Sequence, residues 1–313
     1  MRRSVFVLIA LHVGLVPLMS AQKQACLAMD MQEQRQTAGF TLRTFLNDDS
    51  EDSCFQILRN RRVIHQEINH EGFRYTLGQK AVPEVGVPAI PDGTDLTGSG
   101  HPDMIVTLNT RGAHCCLTVM VYELKDVPKR IAKFEVTDTE YPYFERGGNG
   151  FYRFHAQDWS LAYWPSSFAG SPSASVILRY TSRGYHLDLD AMRAPMPSEQ
   201  DVEKARTDAK ELFANFGASE SGIFWYWVMQ WIYSGHDDLA WNFVDEQWPA
   251  NVPGKEEWTG NFCAMLADSP YWADLQPFVT HAPATCISAA EDELRQVKVI
   301  PSGSIKPNLL RTP

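Results

Sequence analysis

VILRYTSRGYHLDLDAMRAPMPSEQD, residues 176–201, decides the fold. Val176 to Tyr180 is an apolar run of β-formers. Ser182-Arg183-Gly184 reads as a turn, and Tyr185 to Leu189 as the returning strand. The texture then changes. Met192-Arg193-Ala194-Pro195-Met196-Pro197 holds two prolines, each lacking the N–H that a ladder or helix interior needs. Directly afterwards Ser198 reads as a helix N-cap. Glu199 and Asp201 fall in the first turn, where the helix dipole favours acid. The stretch therefore marks a passage from strands to helices. The reading is α+β: an N-terminal antiparallel β-rich domain, residues 37–194, followed by a C-terminal α-helical domain, residues 195–298.

Backwards from this stretch the chain keeps a β texture to about residue 37. Phe40, Leu42 and Thr44 alternate with other residues. Cys54 to Leu58 and Val63 to His65 flank a turn at Asn60, which predicts a hairpin. Phe73, Tyr75 and Leu77 alternate before Gly78. Residues 80–94 read as a long loop. Met104–Leu108, Leu117–Leu124, Ile131–Val136 and Phe151–Phe154 supply further strands, with a Gly-rich loop over 138–150.

Forwards, Val202, Ala205, Ala209, Leu212, Phe213 and Phe216 follow the i, i+3, i+4 spacing of one helix face. This predicts a helix from Ser198 to Phe216, ended by Gly217. A second helix, Ile223 to Tyr233, is apolar nearly all round and so should be buried. Asp237 reads as the cap of a third helix running to Trp248. A fourth spans Glu256 to Ala267, and Ser288 with Glu291 suggests a capping box for a fifth.

The ends of the chain carry other signals. Arg2 and Arg3, the apolar run Val5–Leu18, and the small residues Ser20 and Ala21 form a secretory signal pattern over residues 1–21. Residues 22–36 form an N-terminal segment. The tail 299–313, with Pro301 and Pro307, is expected to be disordered. The apolar run is shorter than the roughly 20 residues of a spanning helix, and no later stretch is longer. The expected location is therefore secreted or periplasmic, with no membrane span. The full chain has a formal net charge of −10. Residues 1–21 hold two arginines and no acid, so the remainder sets 26 basic against 38 acidic residues. Such a chain has no basic excess to neutralise phosphates, which excludes nucleic acid as a partner.

Six cysteines in the mature region, Cys26, Cys54, Cys115, Cys116, Cys263 and Cys286, suit disulfides in an oxidising compartment. Cys263 and Cys286 are expected to pair. Cys115 and Cys116, adjacent on a strand, would point to opposite faces and so seek different partners. Cys26 and Cys54 are the available pair of partners, in an order the sequence leaves open. His114-Cys115-Cys116 as a metal or nucleophile site is disfavoured, because strand neighbours point apart and no CxxC completes a zinc set.

One loop stands out. DLTGSGHPD, Asp95 to Asp103, places oxygen-bearing side chains at Asp95, Thr97, Ser99 and Asp103, with Gly98 and Gly100 permitting a tight turn. The twelfth position is Val106, so it is not an EF-hand. DLTGSGHPDMIVTL resembles the loop-plus-strand signature of FG-GAP and VCBS repeat modules. Arg111 to Cys116, the segment 171–188 and YSGHDDLAW (233–241) resemble parts of a group of exported bacterial proteins carrying one such loop. The resemblance implies calcium at Asp95, Thr97, Ser99 and Asp103. The other reading is a turn held by its own Asx and hydroxyl hydrogen bonds. A single copy of the loop argues against a complete propeller, which needs about four to eight blades.

Other constellations carry less. His65 and His70 are five apart, whereas the zincin helix needs four. Ser234-Gly235-His236-Asp237-Asp238 fits a helix–helix turn. Trp159, Tyr163 and Trp164 lie in a loop-like stretch suited to an aromatic site, though interdomain packing is the stronger reading. The functional expectation is a binding or scaffolding module whose partner is a protein or envelope component. The alternative is an exported hydrolase acting on polysaccharide or peptide.

Overall fold

The protein is described by a computed structural model, which covers residues 26–109, 117–137, 141–148 and 150–286. The signal pattern, the tail, His114, Cys115, Cys116 and the capping box at Ser288 lie outside the described residues. The order of elements is that of the sequence reading: antiparallel strands first, helices after.

The chain separates into two compact units, one ending at Leu77 and one beginning at Gly78. In the first, β1 (Asp30–Thr37), β2 (Phe40–Leu46), β3 (Ser53–Arg59) and β4 (Arg62–Asn69) form an antiparallel sheet in chain order. The β3–β4 turn places Asn60 and Arg61 both at positive φ, 50° and 64°. That is the two-residue hairpin geometry whose twist matches the flanking strands. β3 is buried along nearly its whole length. β5 (Arg74–Leu77) packs against this sheet, with Tyr75 and Leu77 buried and the Tyr75 ring 5.8 Å from that of Phe55. Cys26 is bonded to Cys54 on β3. This corrects the expectation that each would seek Cys115 or Cys116. The short helical turn Cys26–Ala28 rests on β3, which brings the two sulfurs together. β1 also falls in residues read as a bare N-terminal segment. Its sequence, DMQEQRQT, is polar on both faces and so shows no alternation.

In the second unit, β6 (Asp103–Asn109), β7 (Leu117–Glu123) and β8 (Lys129–Glu135) pair antiparallel in order. A further sheet has the order β12 (Gly184–Leu187), β11 (Ala174–Thr181), β10 (Tyr152–Asp158), β9 (Tyr143–Arg146). β9 lies in residues read as loop, where Pro142 and the glycines that follow masked a four-residue strand. The helices are α1 (Leu189–Met192), α2 (Glu199–Asn215), α3 (Gly222–Tyr233), α4 (Asp237–Gln247), α5 (Lys255–Ala267) and α6 (Trp272–Leu275).

Ser198 caps α2 as expected, and its exchange with Asp201 is reciprocal. The third helix starts differently. His236 occupies the cap position of α4, and Asp237 turns away to bind the Thr280–His281 backbone.

The switch from strand to helix near residue 194 is real, but it is not the border between the compact units. One apolar core runs through β6–β12 and the helices. α3 lies on β11, with Gln230 Nε2 donating to Ser173 O at 2.7 Å. Gly222 packs so closely that a Cβ there would sit 1.7 Å from Gly170 O. The all-round apolar pattern of α3 is thereby explained: strands cover one side and helices the other.

Candidate functional site

The turn at 95–103 leads into β6 and is organised by one carboxylate. Asp95 Oδ1 accepts from the N–H groups of Gly98 (2.7 Å) and Ser99 (3.1 Å), and from the Thr97 hydroxyl (3.3 Å). Its Oδ2 accepts from Gly100 N–H at 2.8 Å. Gly98 and Gly100 both sit at positive φ, 73° and 79°, which lets the backbone wrap around Asp95. The ring of Phe151 covers Gly98; a Cβ there would come within 2.8 Å of it. The four residues singled out from sequence, Asp95, Thr97, Ser99 and Asp103, therefore do converge on one turn.

Asp103 closes the turn from the first position of β6, at 2% exposure. Its Oδ2 accepts from Leu96 N–H (2.9 Å) and from the Thr97 hydroxyl (3.4 Å). Its Oδ1 is buried with no partner among the described residues. Burial first, and then the Asp95 and Glu123 carboxylates, push its pKa up to about 7. Glu123 is the register partner of Asp103 across β6 and β7. Burial alone would raise Glu123 too. The Lys125 ammonium at 2.7 Å and a hydrogen bond with Ser99 outweigh it and hold the carboxyl below its usual range. Tyr185, on β12, has a buried hydroxyl with no partner among the described residues. Its pKa is raised by burial and by the field of Asp103.

Glu123 and Tyr185 carry no local sequence signal. One follows the loop by twenty residues and the other by more than eighty, and only strand pairing and sheet packing bring them near.

The donor set is all oxygen, the preference of a hard cation such as calcium, which takes about six to eight ligands. A carboxylate offers about four lone-pair sites. Asp95 accepts four hydrogen bonds from the turn itself and so spends that whole capacity, while Asp103 keeps one oxygen without a partner among the described residues. Among the described residues no group of three or more His, Cys, Asp or Glu side chains is arranged to hold a metal ion. Within the turn, the Asp103 Oδ1 atom is the carboxylate oxygen left without a partner among the described residues, and the oxygen chemistry of the turn is the kind a hard cation prefers.

The remaining candidates are placed plainly. His65 pairs with Glu67 at 3.1 Å and His70 with Asp52 at 2.8 Å, so the two histidines have separate partners. Trp159 stacks on Phe168, ring centroids 4.8 Å apart, and Trp164 packs against Trp225, Trp258 and Phe262. Only Tyr163 of that trio is exposed. The packing expected of these aromatics is found inside the second unit. Cys263 is bonded to Cys286, as expected. No family model, curated protein or solved structure matches the chain.

Proposed function

We propose that the chain is an exported binding or scaffolding module, with partners at the envelope, whose 95–103 turn takes up calcium. The observation that supports this most is Asp103 Oδ1: a buried carboxylate oxygen without a partner, in a turn whose other oxygens are already ordered. A buried polar atom left unpaired costs about 1–3 kcal/mol, and a cation would compensate it. The resemblance of DLTGSGHPD to FG-GAP loops points the same way. The two disulfides among the described residues suit an oxidising compartment.

The test is thermal melting with calcium and with chelator. Calcium at 100 times its dissociation constant stabilises by about 2.7 kcal/mol, a shift of several degrees. Asp103→Asn should abolish that shift and, without calcium, leave the protein as stable or more so, because it removes an uncompensated buried charge. An unchanged melting temperature for the native chain at millimolar calcium would remove the ion from this reading.

A further inference from the structure

The second unit carries a groove of about 490 Å³ between α4, α5 and the segment 280–286. Its third wall is held at both ends. At one end Asp237 Oδ2 accepts from the N–H groups of Thr280 (2.5 Å) and His281 (2.6 Å). At the other, Cys286 is bonded to Cys263 on α5. The walls are thus ordered before any ligand arrives, which lowers the cost of binding.

The lining has two parts. Trp241 and Val244 form a buried apolar floor and Pro283 supplies accessible apolar surface. Trp241 is 6% exposed, and its indole N–H has no partner among the described residues. Around them stand Asp238, Asp245, Glu256, Asn242, Lys255 and His281. Lys255 is committed to Asp245 at 2.8 Å, and His281 to Asp237 at 3.0 Å. Asp238 and Glu256 have no ion-pair partner among the described residues, so two carboxylates remain to be matched. The His281 pKa is raised, chiefly by its hydrogen bond to Asp237 and then by the charge of Asp237, with a smaller contribution from Asp238.

We infer that this groove is a docking site for a short basic peptide segment. Lysine or arginine side chains would pair with the exposed carboxylates of Asp238 and Glu256, their methylenes would lie against Pro283, and peptide carbonyls would accept from Asn242. Charge complementarity carries the choice of occupant, and the net charge of −10 would steer a cationic partner towards it. The volume lies in the range of ordinary ligand sites, about 300–1,000 Å³. The inference rests on reading the chain as a binding module and names that module's partner chemistry.

The test is a calorimetric titration with N-acetylated, C-amidated lysyl-alanyl-lysine, run in chelator so that calcium plays no part. Saturable binding is expected. Asp238→Asn with Glu256→Gln should weaken it about tenfold or more, and Lys255→Gln, which frees Asp245, should tighten it. The opposite signs separate charge matching from damage to the fold. Equal affinity of the double variant and the native chain, spermidine binding as well as the tripeptide, or no saturation at millimolar peptide would each overturn the inference. Mass spectrometry of the recovered tripeptide distinguishes this from failure of the wider reading: intact peptide is expected, and cleaved peptide would make the chain a hydrolase.

Discussion

Asp158, at the end of β10, is 2% exposed and joins three parts of the second unit. Its Oδ2 accepts from the Tyr233 hydroxyl on α3 and from Ser269 Oγ at 2.6 Å, and its Oδ1 from Ser160 N–H at 2.8 Å. Burial and the neighbouring carboxylate both raise the Tyr233 pKa, so the phenol stays a donor. A buried carboxylate is tolerable only when so fully matched. Asp158→Ala would strand the Tyr233 and Ser269 hydroxyls without an acceptor. It is expected to cost about 2–4 kcal/mol, read as a lower urea midpoint at unchanged slope. Only the Ser160 turn is local to this aspartate; the two hydroxyls that use its buried Oδ2 lie 75 and 111 residues away, so the sequence does not mark its role.

At the scale of elements, the strands and helices with strong periodicity were legible. β3, β6, β7, β11 and α2 to α5 lie within one to three residues of where alternation, helical spacing and caps place them. The misses have different causes. β1 buries little side-chain surface of its own, so its existence depends on ladder bonds to β2, whereas β9 buries the Phe144 ring but is only four residues long, too short to show alternation. The Cys263–Cys286 bond ties α5 to the helical turn at 284–286. Its ring spans a separation of 23 residues. Loop-closure entropy gives such a ring about 3 kcal/mol, so Cys263→Ser with Cys286→Ser should lower unfolding free energy by about that amount. Chemical denaturation under non-reducing conditions checks it. The same change should loosen the 280–286 wall, seen as faster exchange of the Thr280 and His281 amides.

For the molecule as a whole, pH acts through Asp103, whose raised pKa of about 7 costs stability as pH rises from about 4 to 7, and through the tie between Asp237 and His281. Burial would raise the Asp237 pKa. Hydrogen bonds from the His281 side chain and from the His281 and Thr280 N–H groups outweigh it, and the net shift is downward. Its contribution to stability is present above the unfolded carboxylate value, roughly 4, and is lost as pH falls through the lower folded value. The His281 pKa is raised, so its contribution is complete below about 6.5 and is lost as pH rises through the higher folded value. This contact is therefore strongest between about pH 4 and 6.5. Asp103 acts equally in the native chain and in His281→Gln, so the difference in melting temperature between the two should be largest below about pH 6.5 and shrink as pH rises further.

The sequence by itself determined the order of strands before helices, the buried character of α3, the cap of α2 and the tight turn around Asp95. Each of these depends on neighbours within a few residues: alternation, helical spacing, a hydroxyl beside an N–H, or glycine at positive φ. The tertiary structure alone decided where the chain divides, at Leu77 and not at the prolines near 195, because compactness depends on which surfaces share a core. It also decided that Cys26 meets Cys54, that Glu123 and Tyr185 join the acid turn, and that Asp237 holds a wall of the groove instead of capping α4. Those outcomes rest on contacts between residues far apart in the chain, and strand register and packing, not local pattern, set such distances.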